Sequence, residues 1–368
     1  MKLKITFFVL AFVVVFSSVV TAQTAQPTPP IVEDDGDVIK IDSRLVIVPV
    51  SVTDANGQAV SGLNERSFRI SEDGKTQEVA QVSDAEKVPL EIALLFDVSA
   101  STDSMFKFEQ ETAAQFLKDV MRPDDRATII TVGAKEKVVQ SRGTAEEAAL
   151  AVKSIQPTKE QTAFYDSVRI AADYLQKNAP VGRRKVIVVI SDGEDTNSDG
   201  VLKAIWAAER KIVDGTLSGE NLRSLRVRSR DDAKIKEQNR VLRSLQNADT
   251  VFYSINPAGS SYQLNKMSLF GQSNLQKFAD ETGGTAFLPK FQPIDTKDQL
   301  QNSYSTRRNQ ETLTQIFKQL ANELQAQYLV QYYSSADFSV NRYVKLDVGL
   351  TDPQKLRVRA RQGYFVKK

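Results

Sequence analysis

The chain has 368 residues, 41% of them apolar and 26% charged, which is the make-up of a soluble globular protein with room for one to three domains. Its 48 basic and 46 acidic residues nearly cancel to a formal charge of +2, which argues against a surface given over wholly to nucleic acid. With no Cys and no His, it has no thiol nucleophile, disulfide, zinc finger, Ser-His-Asp triad or His-ligated metal. Any metal site must then be built from oxygen, which favours hard cations such as Mg²⁺, Ca²⁺ or Mn²⁺.

The first residues read as an export signal. Lys2 and Lys4 precede an apolar run from Ile5 to Val20, and Val20-Thr21-Ala22 is a small-residue cleavage pattern. The competing reading is an uncleaved membrane anchor, since the run is about as long as the shorter spanning helices; the Pro-rich polar stretch that follows at once favours cleavage, so residues 1–22 are expected to be a signal peptide and 23–37 a Pro-rich linker. No later apolar run is long enough to span a membrane, so the mature chain is expected to be exported, periplasmic or extracellular, with no transmembrane helix. Residues 38–85 then read as strands and turns. β-Branched residues dominate Leu45–Val52, Phe68 and Ile70 alternate with polar neighbours, and Asn56-Gly57 and Asp73-Gly74 are hairpin signals.

From residue 91 the pattern changes. Ile92–Phe96 and Val186–Ile190 are continuous apolar runs, as expected of strands buried on both faces of a parallel sheet. Ala127–Val132, Val251–Ile255 and Ala286–Leu288 are further strands. Helical spacing marks Met105–Val120, Phe164–Leu175, a segment through Leu275 and Phe278 that ends at Gly283, and Leu313–Leu324. Alternating strands and helices predict a doubly wound, Rossmann-like α/β fold with a mostly parallel sheet. After residue 327 the pattern returns to β, in Tyr328–Tyr333, Val344–Val348 and Leu356–Val358. Residues 38–85 and 327–366 are each too small to stand alone, so they are expected to form one discontinuous β-sandwich with the α/β domain inserted in it.

The chemistry collects at strand ends. Ile92–Phe96 runs into Asp97-Val98-Ser99-Ala100-Ser101, Val186–Ile190 runs into Ser191-Asp192-Gly193, and Gln161-Thr162-Ala163 precedes a helix. Doubly wound sheets bind ligands at the carboxyl ends of their strands, where Asp97 and Asp192 would meet. Two carboxylates and three hydroxyls leave a hard cation short of ligands and charge. A partner's Asp or Glu suits the open position. The competing reading is that these residues only cap helices and satisfy loop backbone.

Asp97-x-Ser99-x-Ser101, Thr162 and Asp192 resemble the three parts of the metal-ion-dependent adhesion site (MIDAS) of von Willebrand factor type A domains, over about residues 88–325. The resemblance implies that Ser99, Ser101 and Thr162 coordinate through hydroxyls, that Asp97 and Asp192 act directly or through water, and that their two strands lie side by side. The flanking β segments and Phe278–Gly284 resemble a secreted subfamily common in acidobacteria. Ala100 departs from the pattern, standing where Gly is common.

Other candidates carry two readings each. Residues 201–249 form a helical insertion whose turn region holds Arg223, Arg226, Arg228 and Arg230; it is either a contact for an anionic partner, led by Arg226 and Arg228, or a solvated excursion. Residues 256–273 are expected to be a rim loop in which Tyr262, Met267 and Phe270 either form a specificity surface or fold back over the sheet. Glu194 and Asp195 form either a hydrolytic carboxylate set with Asp97 or an acidic rim. The leading expectation is a non-enzymatic, metal-dependent protein-binding module for adhesion or scaffolding. The alternatives are a metal-free envelope scaffold and a hydrolase using Mg²⁺-bound water.

Overall fold

A computed structural model describes residues 44–84, 87–99, 104–158, 160–213, 219–257, 266–294, 296–352 and 355–366. The expected leader and linker, residues 1–22 and 23–37, lie outside these. Alternation decides the first strand, Arg44–Thr53 (β1): Val46, Val48, Val50 and Val52 point into a core, whereas Leu45 and Ile47 point out. Phe68–Glu72 (β2) and Lys75–Gln77 (β3) form a hairpin closed by Asp73-Gly74. Both turn residues adopt positive φ, 48° and 80°, as a two-residue type I′ turn requires. Val79–Asp84 (β4) completes this flank.

The central layer begins with Leu90–Asp97 (β5), a strand buried along its whole length. Ser104–Val120 (α1), Arg126–Val132 (β6), Lys137–Gly143 (β7), Ala145–Ser154 (α2), Phe164–Asn178 (α3) and Arg184–Ile190 (β8) follow. Asp199–Val213 (α4) and Gly219–Asn247 (α5) precede Thr250–Ile255 (β9), Lys266–Thr282 (α6), Ala286–Phe287 (β10) and Gln299–Gln325 (α7). Among the described residues the sheet order is β10-β9-β8-β5-β6-β7, parallel except for β7. Ile92, Leu94 and Phe96 of β5 pack on one face with Phe116, Leu117 and Phe317 of α1 and α7. Ala93 and Leu95 pack on the other with Phe164, Val168 and Phe278 of α3 and α6. Each fully buried Leu or Phe contributes about 1.5–3 kcal/mol relative to exposure. The strand that carries Asp97 is therefore held from both sides.

Gln327–Ser334 (β11), Arg342–Leu350 (β12), Arg357–Ala360 (β13) and Gly363–Val366 (β14) return to the flank. They join β1–β4 in two sheets, β13-β1-β11-β4 and β14-β12-β2-β3, around Val48, Val50, Ile70, Val330, Tyr332 and Val344. The fold is thus a doubly wound, mostly parallel α/β layer inserted between the two halves of a discontinuous β-sandwich. Pro49 sits in β1 just beyond Val50, where the pairing with β13 stops, which an edge position tolerates. No helix among the described residues is long and apolar enough to cross a membrane.

Two local expectations are corrected. Arg223, Arg226, Arg228 and Arg230 lie within α5, not in a turn. Met267 and Phe270 lie in the first turns of α6, not in a loop. The Arg-rich stretch lacks a clear apolar stripe, whereas Met267 and Phe270 continue the helical spacing of Leu275 and Phe278. The edge strand β7 and helix α2 were not anticipated.

Candidate metal centre

β5 and β8 are parallel neighbours, with Phe96 opposite Ile190. Asp97 and the Ser191-Asp192-Gly193 turn therefore emerge together at the carboxyl ends of the two strands. From β5 the chain passes to β6 on one side, while β8 lies on the other, so the pair sits at the topological switch point.

Asp97 is 8% exposed and fully engaged. Its Oδ1 accepts the Ser99 amide at 2.9 Å and the Ser99 hydroxyl at 2.7 Å; its Oδ2 accepts the Ser191 hydroxyl at 2.6 Å. Ser191 Oγ in turn accepts the Gly193 amide at 3.1 Å. Asp192 Oδ1 accepts the Glu194 amide at 2.9 Å. Burial pushes the Asp97 carboxyl up, against the hydroxyl and amide donors of Ser191 and Ser99. Burial, then the neighbouring charges of Asp97 and Glu194, push Asp192 up to about 6 despite the Glu194 amide. Among the described residues neither aspartate is paired with a Lys or Arg.

Thr162 precedes α3 and is stitched to the loop beyond Asp192. Its amide donates to Thr196 Oγ1 at 2.9 Å, and its carbonyl accepts the amides of Thr196 at 2.9 Å and Asn197 at 3.0 Å. Asp195 is buried and caps the start of α3 by accepting the Tyr165 amide at 3.1 Å, while also accepting the amide and hydroxyl of Ser198. Glu194 accepts the Ser268 hydroxyl at 2.6 Å. Both acids thus have structural partners.

The Asp192 turn is backed by α6. Gly193 has φ 75°, and a Cβ there would lie 2.5 Å from the Gly271 carbonyl; a Cβ on Gly271 would lie 2.6 Å from the Asp192 carbonyl. Only two facing glycines permit this approach. One turn on, Asn274 Nδ2 donates to the Gly193 carbonyl at 3.0 Å, while its Oδ1 accepts Tyr165 Oη at 3.1 Å and Gln238 Nε2 at 2.9 Å. This side chain, 1% exposed, ties the turn to α3, α5 and α6 at once.

The structure therefore joins Asp97 with Ser99, sets Asp192 beside Asp97, and links Thr162 to the Asp192 loop through Thr196. Ser101 and Tyr262 lie outside the described residues. Phe270 is half-buried with Lys234 Nζ 5.7 Å from its ring centre, and Met267 sits one turn before Gly271. Arg226 is exposed and pairs with Glu209 of α4 at 3.3 Å; Arg228 is exposed farther along α5. Ser191, Gly271 and Asn274 were missed as site residues. Ser191 was detectable as the polar residue between a buried strand and Asp192, whereas nothing local marks Gly271 or Asn274.

No group of three or more Asp, Glu, His or Cys side chains with metal-holding geometry occurs among the described residues. The donor set still fits a hard cation: a buried and a half-buried aspartate beside each other, unpaired with Lys or Arg among the described residues, with hydroxyls alongside.

Residues 92–194 match the von Willebrand factor type A domain. The matched span runs from β5 to the loop after β8 and includes Asp97, Ser99, Thr162, Ser191 and Asp192, while Gly271 and Asn274 of α6 lie beyond it. Among solved structures, the chain is similar to proximal thread matrix protein 1 of the mussel byssus at 12% identity and TM-score 0.39, covering 67% of this chain and 48% of that one. The chain thus spans about half the length of the mussel protein. Another structure of that protein, at 11% identity and TM-score 0.38, has a zinc-occupied MIDAS motif; it covers 67% of this chain and 48% of that one. BatB from Bacteroides thetaiotaomicron is 14% identical with TM-score 0.32, covering 61% of this chain and 99% of that one. No curated protein matches the sequence.

Proposed function

We propose that this protein is an exported, non-enzymatic binding module of the secreted von Willebrand A subfamily, in which Asp97, Ser99, Ser101, Thr162 and Asp192 hold Mg²⁺, or Mn²⁺ or Ca²⁺ in its place. The bound ion offers an open position to an Asp or Glu of a protein partner. The observation that carries this reading is the pair Asp97, buried, and Asp192, half-buried, at the ends of adjacent strands with no Lys or Arg paired to either among the described residues. Like charges so placed oppose each other in the low dielectric of a protein, and a divalent ion relieves both. Ser99 and Ser191 hold the Asp97 carboxylate in one orientation, and Thr196 fixes the backbone of Thr162. Glu194 and Asp195 are held by Ser268, Tyr165 and Ser198, which supports a binding role over a hydrolytic one.

Calorimetric titration with Mg²⁺ and with Mn²⁺, on the unmodified chain and on Asp97→Ala, tests the metal. Heat in the first and none in the second is expected, and equal heats overturn the reading. Capture of a partner from envelope extracts should then disappear with chelator. Capture that survives chelator but is lost on charge reversal at Arg226 and Arg228 would instead favour a metal-free scaffold.

A further inference from the structure

At the opposite end of the sheet, where β8 begins, a groove of about 570 Å³ runs between the α/β layer and the β-sandwich. It lies roughly 20 Å from Asp97, the length of a seven-residue strand. Its volume is that of a small-molecule site. One wall is apolar and open: Leu45 and Ile47 on the outward face of β1 are 48% and 43% exposed, and Val181, in the turn before β8, is fully exposed. Cations share the lining: Lys185, and Arg361, whose Nη2 donates to the Ile47 carbonyl at 3.0 Å. Lys185 is half-buried and has neither an ion pair nor a hydrogen bond among the described residues. The acid whose charge acts on it, Asp249, is paired with Arg361 Nη1 at 2.6 Å. Arg361 is 7% exposed, yet its Nε has no acceptor. Burial holds the Lys185 amine below its ordinary range, against the opposing pull of Asp249.

We propose that this groove binds an anionic amphiphile, a carboxylate or phosphate head joined to an acyl or aryl tail, with the head at Lys185 and Arg361 and the tail along Leu45, Ile47 and Val181. The apolar wall gives the tail a surface to cover, and Lys185, which has no ion pair among the described residues, supplies the charge-assisted donor to the head, with the Arg361 guanidinium beside it adding positive charge while paired to Asp249. The site is separate from the candidate metal centre, and its occupancy does not depend on a metal.

Titrating the full chain with decanoate and with decyl phosphate, each below its micellar concentration, tests the assignment and shows which head is preferred. Binding is expected for at least one of them and at least a hundredfold weaker for acetate and inorganic phosphate, because each buried methylene is worth about 0.8 kcal/mol. Lys185→Met, which keeps the aliphatic stem, is expected to weaken binding about tenfold or more. Val181→Asp, at a solvent-exposed turn that tolerates the change, is expected to weaken it as well. Chelator and Asp97→Ala should leave binding unchanged. No binding of either decyl anion, equal affinity in a folded Lys185→Met protein, or equal affinity for decyltrimethylammonium would each overturn the proposal.

Discussion

Ser191 donates its hydroxyl to Asp97 Oδ2 at 2.6 Å, so a residue at the end of β8 sets the orientation of the acid at the end of β5. Groups that orient a metal ligand typically change affinity 10–100-fold when removed. Ser191→Ala is therefore expected to weaken Mn²⁺ binding about tenfold, measured by calorimetry, while the protein stays folded. Affinity within twofold of the unmodified chain would show that Asp97 is oriented without Ser191.

Asn274 is expected to be costly to replace. Asn274→Leu strands the Gly193 carbonyl, the Tyr165 hydroxyl and the Gln238 amide in a buried place. Each such orphan costs about 1–3 kcal/mol, less whatever water can recover. A loss of about 2–4 kcal/mol in urea unfolding is expected, against about 1 kcal/mol for Tyr165→Phe, which leaves the other two bonds intact. Equal effects from the two changes would contradict the central role of Asn274.

Gly271→Ala decides between two opposing effects. In a helix interior Ala is favoured over Gly by about 1 kcal/mol. Here the added Cβ would lie 2.6 Å from the Asp192 carbonyl and 2.9 Å from the Glu194 nitrogen, both of them backbone atoms. Overpacking of this kind costs about 1–3 kcal/mol, so net destabilisation and weaker Mn²⁺ binding are expected together. A stabilised variant would mean that α6 does not press on the Asp192 turn.

The Asp73 hairpin sets an acid limit on the sandwich. Asp73 Oδ1 accepts the Lys345 amide at 3.0 Å and Oδ2 pairs with Arg342 at 2.6 Å, which hold its carboxyl below the usual value. A depressed folded-state pKa adds stability above the unfolded value near 3.8, and that stability is lost as pH falls through the folded value. Asp73→Asn, which tolerates the same positive φ, should be less stable than the unmodified chain at pH 7 and equal to it near pH 2. A gap that does not close on acidification would rule out the carboxylate as its source.

Legibility followed how local each signal was. β5 and β8 could be read because a strand buried on both faces has no polar residue to confuse it, and the Asp97 motif because its residues are adjacent. α2 was readable in principle, since Thr144 and Glu147 form a capping box ahead of buried Ala148, Ala149 and Val152. β7 was not, because it is a mostly exposed edge whose polar residues obscure the pattern. The Arg-rich half of α5 looked like a turn because it is largely exposed and carries no continuous apolar stripe. The contact between Gly193 and Gly271 is purely tertiary, and neither glycine announces it.

The sandwich also constrains the order in which the molecule can be made. The Leu63 amide donates to the Tyr328 hydroxyl across 265 residues of chain, and β1 finds its partner β11 only after the whole α/β layer has emerged. Contacts of such long range are slow to close and carry the entropy of the intervening loop. Prior folding of the inserted layer would shorten that loop by bringing its two ends together. Until then the β1 edge stands unpaired and open to wrong partners, so losses during synthesis or export should fall on variants that delay the inserted layer more than on those that weaken the finished sandwich.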